Sequence, residues 1–138
     1  MPKKTIITGI EHGRAAFAYA KAEDGRKLKG NSSKEYKAYT KKIPMLIKTN
    51  GLGATLAFIK AKGSKNEAYQ LLYDQTAEWF MRQGKDLIEL VRDDDLVEKI
   101  VGLNSTAYRV ATREVLALFF WLRRFAEGLI EGEAEAND

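Results

Sequence analysis

The chain has 138 residues, 45% of them hydrophobic and 30% charged, and carries a net charge of +4. That size and balance suit one domain with one real core, and they exclude a disordered polar chain. The absence of cysteine excludes disulfides, thiolate catalysis and cysteine-ligated metals, and fits a cytosolic protein.

The N-terminal MPKKTIITG is basic but lacks the apolar segment of a secretory signal. Helical spacing of apolar residues then recurs throughout, and no long β-alternation appears. A first helix is expected over Ile10–Ala22, with Ala15, Ala16, Phe17, Ala18 and Tyr19 as a packing face. The stretch AEDGRKLKGNSS reads as a polar loop, with residues 23–33 its flexible part. A second helix starts at Ser32 or Ser33 and runs to about Thr49, with Pro44 inside it as a kink rather than a break. Asn50-Gly51-Leu52-Gly53 forms an elbow, because Asn and Gly accept the left-handed backbone that ends a helix. Thr49 or Asn50 is expected to cap the next helix.

That third helix covers Leu52–Lys62. Ser64 is expected to cap a fourth at Lys65–Arg82. A short helical piece at Lys85–Arg92 and another at Leu96–Val101 follow. The last helix is long, about Thr106–Ile130, and contains the longest apolar run, Val115–Leu122. Eight residues cannot span a membrane, which needs about 20. The acidic tail, 131–138, reads as frayed. The expected fold is all-α, a single compact bundle of five to seven helices.

Charge is unevenly distributed. Residues 1–62 hold 14 Lys and Arg against 4 Asp and Glu, a net +10, whereas residues 63–138 hold 9 against 15, a net −6. On a helical wheel Lys34, Lys37, Lys41 and Lys48 fall opposite Tyr36, Tyr39, Ile43, Leu46 and Ile47. The ridge is about 21 Å long at about 1.5 Å per residue. Lys42 flanks it, and Lys60 and Lys62 follow on the third helix. Point charges along a rod suit a phosphate backbone, which they hold by counterion release without reading sequence. The plainer reading is a solvated face, but only Glu35 supplies an opposite charge within the helix, and solvated faces usually alternate signs.

In the fourth helix Ala68, Leu71, Leu72 and Trp79 form one stripe, and Tyr69, Tyr73 and Phe80 another. Burial on two sides explains them better than a stacking platform. The last helix is apolar nearly all round, so it is either central or covered by another protein. Its polar side holds Arg113 and Arg124 together, flanked by Glu114 and Glu127, as a small basic spot or simply the wet face. Asp93-Asp94-Asp95 could bind magnesium, but consecutive turn aspartates do not converge on one ion. Helix capping explains them better. His12, the single histidine, reads as a surface or capping residue. No Ser-His-Asp set, phosphate-cradling GK[ST] loop or HExxH occurs. No catalytic residue, metal site or cofactor is expected.

Two segments together resemble a known family. IKTNGLGATLAFIKAK at 47–62 and WLRRFAEGL at 121–129 are similar to segments of the small α-helical subunit of type III-B CRISPR effector complexes, the Cmr or RAMP-module complexes. Type III-A complexes contain a similar helical subunit, and the elbow favours III-B. The resemblance implies a helical bundle that is not itself a nuclease. Such subunits stack along the minor filament of the complex, beside repeated backbone subunits that carry the guide RNA, and help to hold the guide–target duplex. Base pairing reads sequence there, and protein reads backbone and shape. Carried onto this chain, the family elbow falls on Asn50–Gly53 and the family's basic pair on Arg123 and Arg124.

The expected function is therefore a non-catalytic effector subunit with other Cmr-type subunits, copies of itself and the guide RNA–target RNA duplex as partners, and no membrane. The expected nucleic-acid-binding residues are Lys34, Lys37, Lys41, Lys42, Lys48, Lys60 and Lys62, with Arg113, Arg123 and Arg124 as a second basic spot. The alternative is a free-standing helical interaction module whose lysine face meets an acidic protein.

Overall fold

A computed structural model describes residues 2–82, 88–90 and 94–135, with side chains from Gly13 onward. The side chain of His12 and much of the expected Lys85–Arg92 piece lie outside what is described, and Ile88–Leu90 form no regular element. Six helices occur among the described residues, and no strand: α1 (Pro2–Arg26), α2 (Asn31–Asn50), α3 (Leu52–Gly63), α4 (Glu67–Arg82), α5 (Leu96–Val101) and α6 (Ser105–Leu129). The all-α bundle read from the periodicity is the observed fold.

The first loop is a correction. α1 continues through Arg26 and α2 begins at Asn31, so most of the stretch read as loop 23–33 is helical. Gly25 explains why the chain stays helical there. A Cβ at Gly25 would lie 2.3 Å from the Tyr36 ring, so the missing side chain lets α1 press onto α2. The Tyr36 hydroxyl then donates to Gln75 Oε1 at 2.6 Å, and Gln75 Nε2 donates to the Lys21 carbonyl at 2.9 Å. Burial raises the Tyr36 phenol well above its usual range, which keeps it a donor. The α1 face narrows to Phe17, Ala18 and Ala22, while Ala16 and Tyr19 are exposed.

α2 runs unbroken through Pro44. At the elbow Gly51 has φ 89°, the left-handed region that favours glycine. Its amide donates to the Ile47 carbonyl at 2.8 Å, closing α2. No side chain caps α3 at this point. The elbow is instead clamped from α6: the Gly53 amide donates to the Tyr108 hydroxyl at 2.8 Å. A Cβ at Gly53 would meet Val101 at 3.0 Å, so this second glycine serves close approach. The α4 cap also differs from expectation. Asn66 Oδ1 accepts from the Tyr69 amide at 3.0 Å, whereas the Ser64 hydroxyl donates back to the Ala61 carbonyl.

Both stripes of α4 are buried, as Ala68, Tyr69, Leu72, Tyr73, Trp79 and Phe80 all join the core. α6 is central: it packs on α1, α2 and α5, and buries Ala111, Val115, Leu118, Phe119, Leu122 and Ala126. Each large side chain so buried contributes about 1.5–3 kcal/mol. α2 and α6 run antiparallel. The Gly51–Gly53 elbow just past α2 meets Tyr108 near the start of α6, and Lys37 near the start of α2 donates to the Ile130 carbonyl just past the end of α6.

Candidate nucleic-acid interface

The expected lysine ridge does not stay one surface. Packing divides the seven lysines between the seam where α2 meets α6 and the side where α2 meets α3 and α4.

Lys34, Lys41 and Lys48 are spaced by seven residues, so they share one line along α2. That line follows the seam. Lys48 lines a cleft of about 370 Å³ together with Arg123, Arg124, Pro44, Leu116 and Phe119. Lys41 and Lys48 are exposed and have no ion-pair or hydrogen-bond partner among the described residues. The basic pair of α6 thus joins the lysine line of α2. Wheel projection of either helix alone could not show this.

Lys37 is a correction to the ridge. Its ammonium donates to the carbonyls of Ile130 (3.1 Å) and Gly132, and pairs with Glu133 at 3.6 Å. It is 13% exposed and pins the tail rather than facing outward. The Lys34 stem lies against Gly132, and the Glu135 amide donates to Asn31 at 2.8 Å. Of the tail read as frayed, 131–138, residues 131–135 are therefore tied to the start of α2; residues 136–138 lie outside the described set.

Lys42, Lys60 and Lys62 face elsewhere. Lys42 donates to the Tyr69 hydroxyl at 3.3 Å and lies 5.8 Å from the Phe58 ring centre. Lys62 lies over the same ring at 5.7 Å. Tyr39 stacks on Tyr69 with ring centres 3.8 Å apart. Burial and the neighbouring Glu35 carboxylate push the Tyr39 hydroxyl up to about 12. Lys60 pairs with Asp95 at 3.0 Å. Asp95 is also the N-cap of α5, accepting from the Val97 amide at 3.0 Å, and it accepts from the Tyr73 hydroxyl. These contacts, the Lys60 hydrogen bond first, hold the Asp95 carboxyl below its ordinary range. The capping reading of the acidic turn holds for Asp95, while Asp93 lies outside the described residues.

On α6, Arg113, Phe120 and Arg124 lie on one line, at separations of seven and four residues. All three are exposed, and the Arg124 guanidinium sits 4.6 Å from the Phe120 ring centre. Arg123 pairs with Glu127 at 3.3 Å. Glu114, expected to flank this polar side, turns inward instead. Arg14 donates to both its oxygens, at 3.2 and 2.8 Å, and Trp79 Nε1 donates at 2.8 Å. Burial alone would raise the Glu114 carboxyl, but Arg14 and Trp79 hold it below its ordinary range. Sequence reasoning missed this clasp of α1, α4 and α6, and no local pattern signals it.

Among the described residues no group of three acidic or histidine side chains could hold a metal, and no helix is long and apolar enough to cross a membrane. The fold and the seam define a small helical bundle with a cationic groove between two antiparallel helices. Residues 10–129 match the family model for CRISPR-associated proteins described as Cas_Cmr5. The chain belongs to the Cmr5 family of CRISPR-associated proteins. It is 34% identical over 118 residues to the CRISPR system Cmr subunit Cmr5 of Thermus thermophilus, covering 85% of this chain and 92% of that protein. The X-ray crystal structure of a CRISPR-associated Cmr5 family protein from the same organism superposes with a TM-score of 0.67 at 31% identity, covering 88% of this chain and 97% of that one. The resemblance drawn from the elbow and the C-terminal segment is borne out.

Proposed function

We propose that the chain is a non-catalytic subunit of an RNA-guided type III-B CRISPR effector complex in the cytoplasm. It packs in the minor filament against backbone subunits and copies of itself, and its α2–α6 seam lies along the guide–target RNA backbone. The observation that carries the reading is the seam itself. Lys41, Lys48 and Arg124 are exposed cations without a carboxylate partner among the described residues. The Cmr subunit naming of the Thermus relative supports the assembly. A non-catalytic role is supported by the acidic turn, where Asp95 is already engaged by Lys60, Tyr73 and the α5 cap.

Two observations favour a second reading, an acidic protein partner on the same seam: Pro44, Leu116 and Phe119 help to line the cleft, and Phe120 is 51% exposed. A triple reversal separates the two. Lys41→Glu, Lys48→Glu and Arg124→Glu together should leave helix content intact and weaken binding to a guide–target RNA duplex. The slope of log affinity against log salt should fall by about 0.7–0.9 per lost contact, so by roughly 2. Unchanged RNA affinity with lost assembly would sink the backbone reading in favour of the protein partner.

A further inference from the structure

A rod of phosphates needs only cations, and the seam holds something more. Phe120 stands 51% exposed at the mouth of the cleft, with the Arg124 guanidinium 4.6 Å from its ring centre. The Trp121 ring lies 5.5 Å away at nearly a right angle to it, and Phe120 stays half exposed beside it. Arg113 lies two turns before Phe120 on the same line of α6, and Lys48 faces the cleft from α2. A duplex keeps its bases stacked inside and cannot use an exposed ring. An unpaired nucleotide can, since bases stack on aromatic faces and on guanidinium planes alike. The cleft volume, about 370 Å³, lies in the range that takes one small ligand and is far too small for a helix.

We infer that the Phe120–Arg124 pair is a stacking site for a single unpaired RNA base, with Lys48 and Arg123 placed for its phosphates. This rests on the RNA reading of the seam and narrows it: the seam prefers RNA with a looped-out or single-stranded nucleotide over uninterrupted duplex. The three cations alone would suit an acidic peptide as well; the exposed Phe120 ring is what favours a base, whose flat face can stack on it.

The test uses the full chain with two short RNA duplexes at low salt, one fully paired and one carrying a single unpaired 2-aminopurine. The chain should bind the interrupted duplex more tightly and quench its fluorescence. Phe120→Leu keeps the bulk and removes the π face. It should cut the preference for the interrupted duplex by about tenfold and abolish quenching, whereas Phe120→Trp should retain both. If Phe120→Leu discriminates as well as the parent chain, the stacking site is overturned while the backbone reading stands. If Phe120→Leu spares RNA binding but blocks assembly with partner subunits, the cleft is a protein dock and the stacking site is again overturned. If neither duplex binds the parent chain, both readings fail.

Discussion

The two lysine-bearing sides of α2 are made of the same residue type and end in different states. On the α3–α4 side, Lys60 has a carboxylate at 3.0 Å, and Lys42 and Lys62 share the Phe58 ring. Carboxylates and aromatic faces absorb part of a cation's capacity for an incoming anion. On the α6 side, Lys41 and Lys48 keep theirs, while Arg123, paired with Glu127, and Arg124, over the Phe120 ring, are engaged in part. Spacing within a helix places a cation; only the neighbouring helix decides whether it is still available. Lys37 makes the same point within the ridge, since it shares the polar side of α2 with Lys41 yet is bound to the tail.

The contrast depends on the roll of α6, which puts Arg124 in the seam and Glu114 in the interior. Glu114→Ala would leave the Arg14 guanidinium and the Trp79 indole without their shared acceptor. Loss of one partner of a buried ion pair costs about 3 kcal/mol. Denaturant unfolding should show a lower midpoint with an unchanged slope. A change below about 0.5 kcal/mol would mean that the clasp does not set the roll.

A direct comparison of the two sides comes next in size. Lys41→Glu with Lys48→Glu should lower the salt slope of RNA binding by about 1.5, from two contacts. Lys60→Glu with Lys62→Glu should lower it by much less. Equal losses would erase the distinction drawn between the sides. Smaller again is the effect of Lys37→Met. Removing charge-assisted bonds to two carbonyls should cost about 1–2 kcal/mol. Amide exchange at residues 130–135 should speed up, and RNA affinity should fall less than for Lys48→Glu. Slow exchange in the variant would show that the Glu135–Asn31 bond suffices to hold the tail.

Much of the fold is legible in the sequence because its signals are local. The Asn50–Gly53 elbow, the Leu96–Val101 helix behind its aspartates and the long last helix each combine a breaker or cap with helical spacing. What escapes is long-range. Glycine at 25 reads as a loop signal until Tyr36 is seen pressed against it, and then it reads as a contact. Ser64 reads as the α4 cap in sequence, but Asn66 takes that place, and its side-chain amide also reaches Glu35 and Tyr39, at 3.4 and 3.3 Å. The candidate site divides the same way. The lysine positions were legible from periodicity, but the partners of Lys37 lie 93 and 95 residues away. Arg123 and Arg124 joined Lys48 only through the antiparallel packing of α6 on α2.

The smallest expected effect concerns the Lys60–Asp95 pair, and its sign differs at the two ends of the pH range. The Asp95 carboxyl is held below its ordinary range, so its contribution is present above the unfolded carboxylate range and is lost as pH falls through the depressed value. The hydrogen bond to Asp95 raises Lys60, so its contribution is present below the unfolded lysine value and is lost as pH rises through the raised one. Lys60→Met should therefore lower Tm slightly at neutral pH, with the difference from the parent chain shrinking at both extremes. Both groups face solvent, so about 1 M salt, with a Debye length near 3 Å, should shrink it further. A difference that persists unchanged in acid and in salt would have to come from packing of the lysine stem, and Lys60 would then no longer count among the cations neutralised on its side of the bundle.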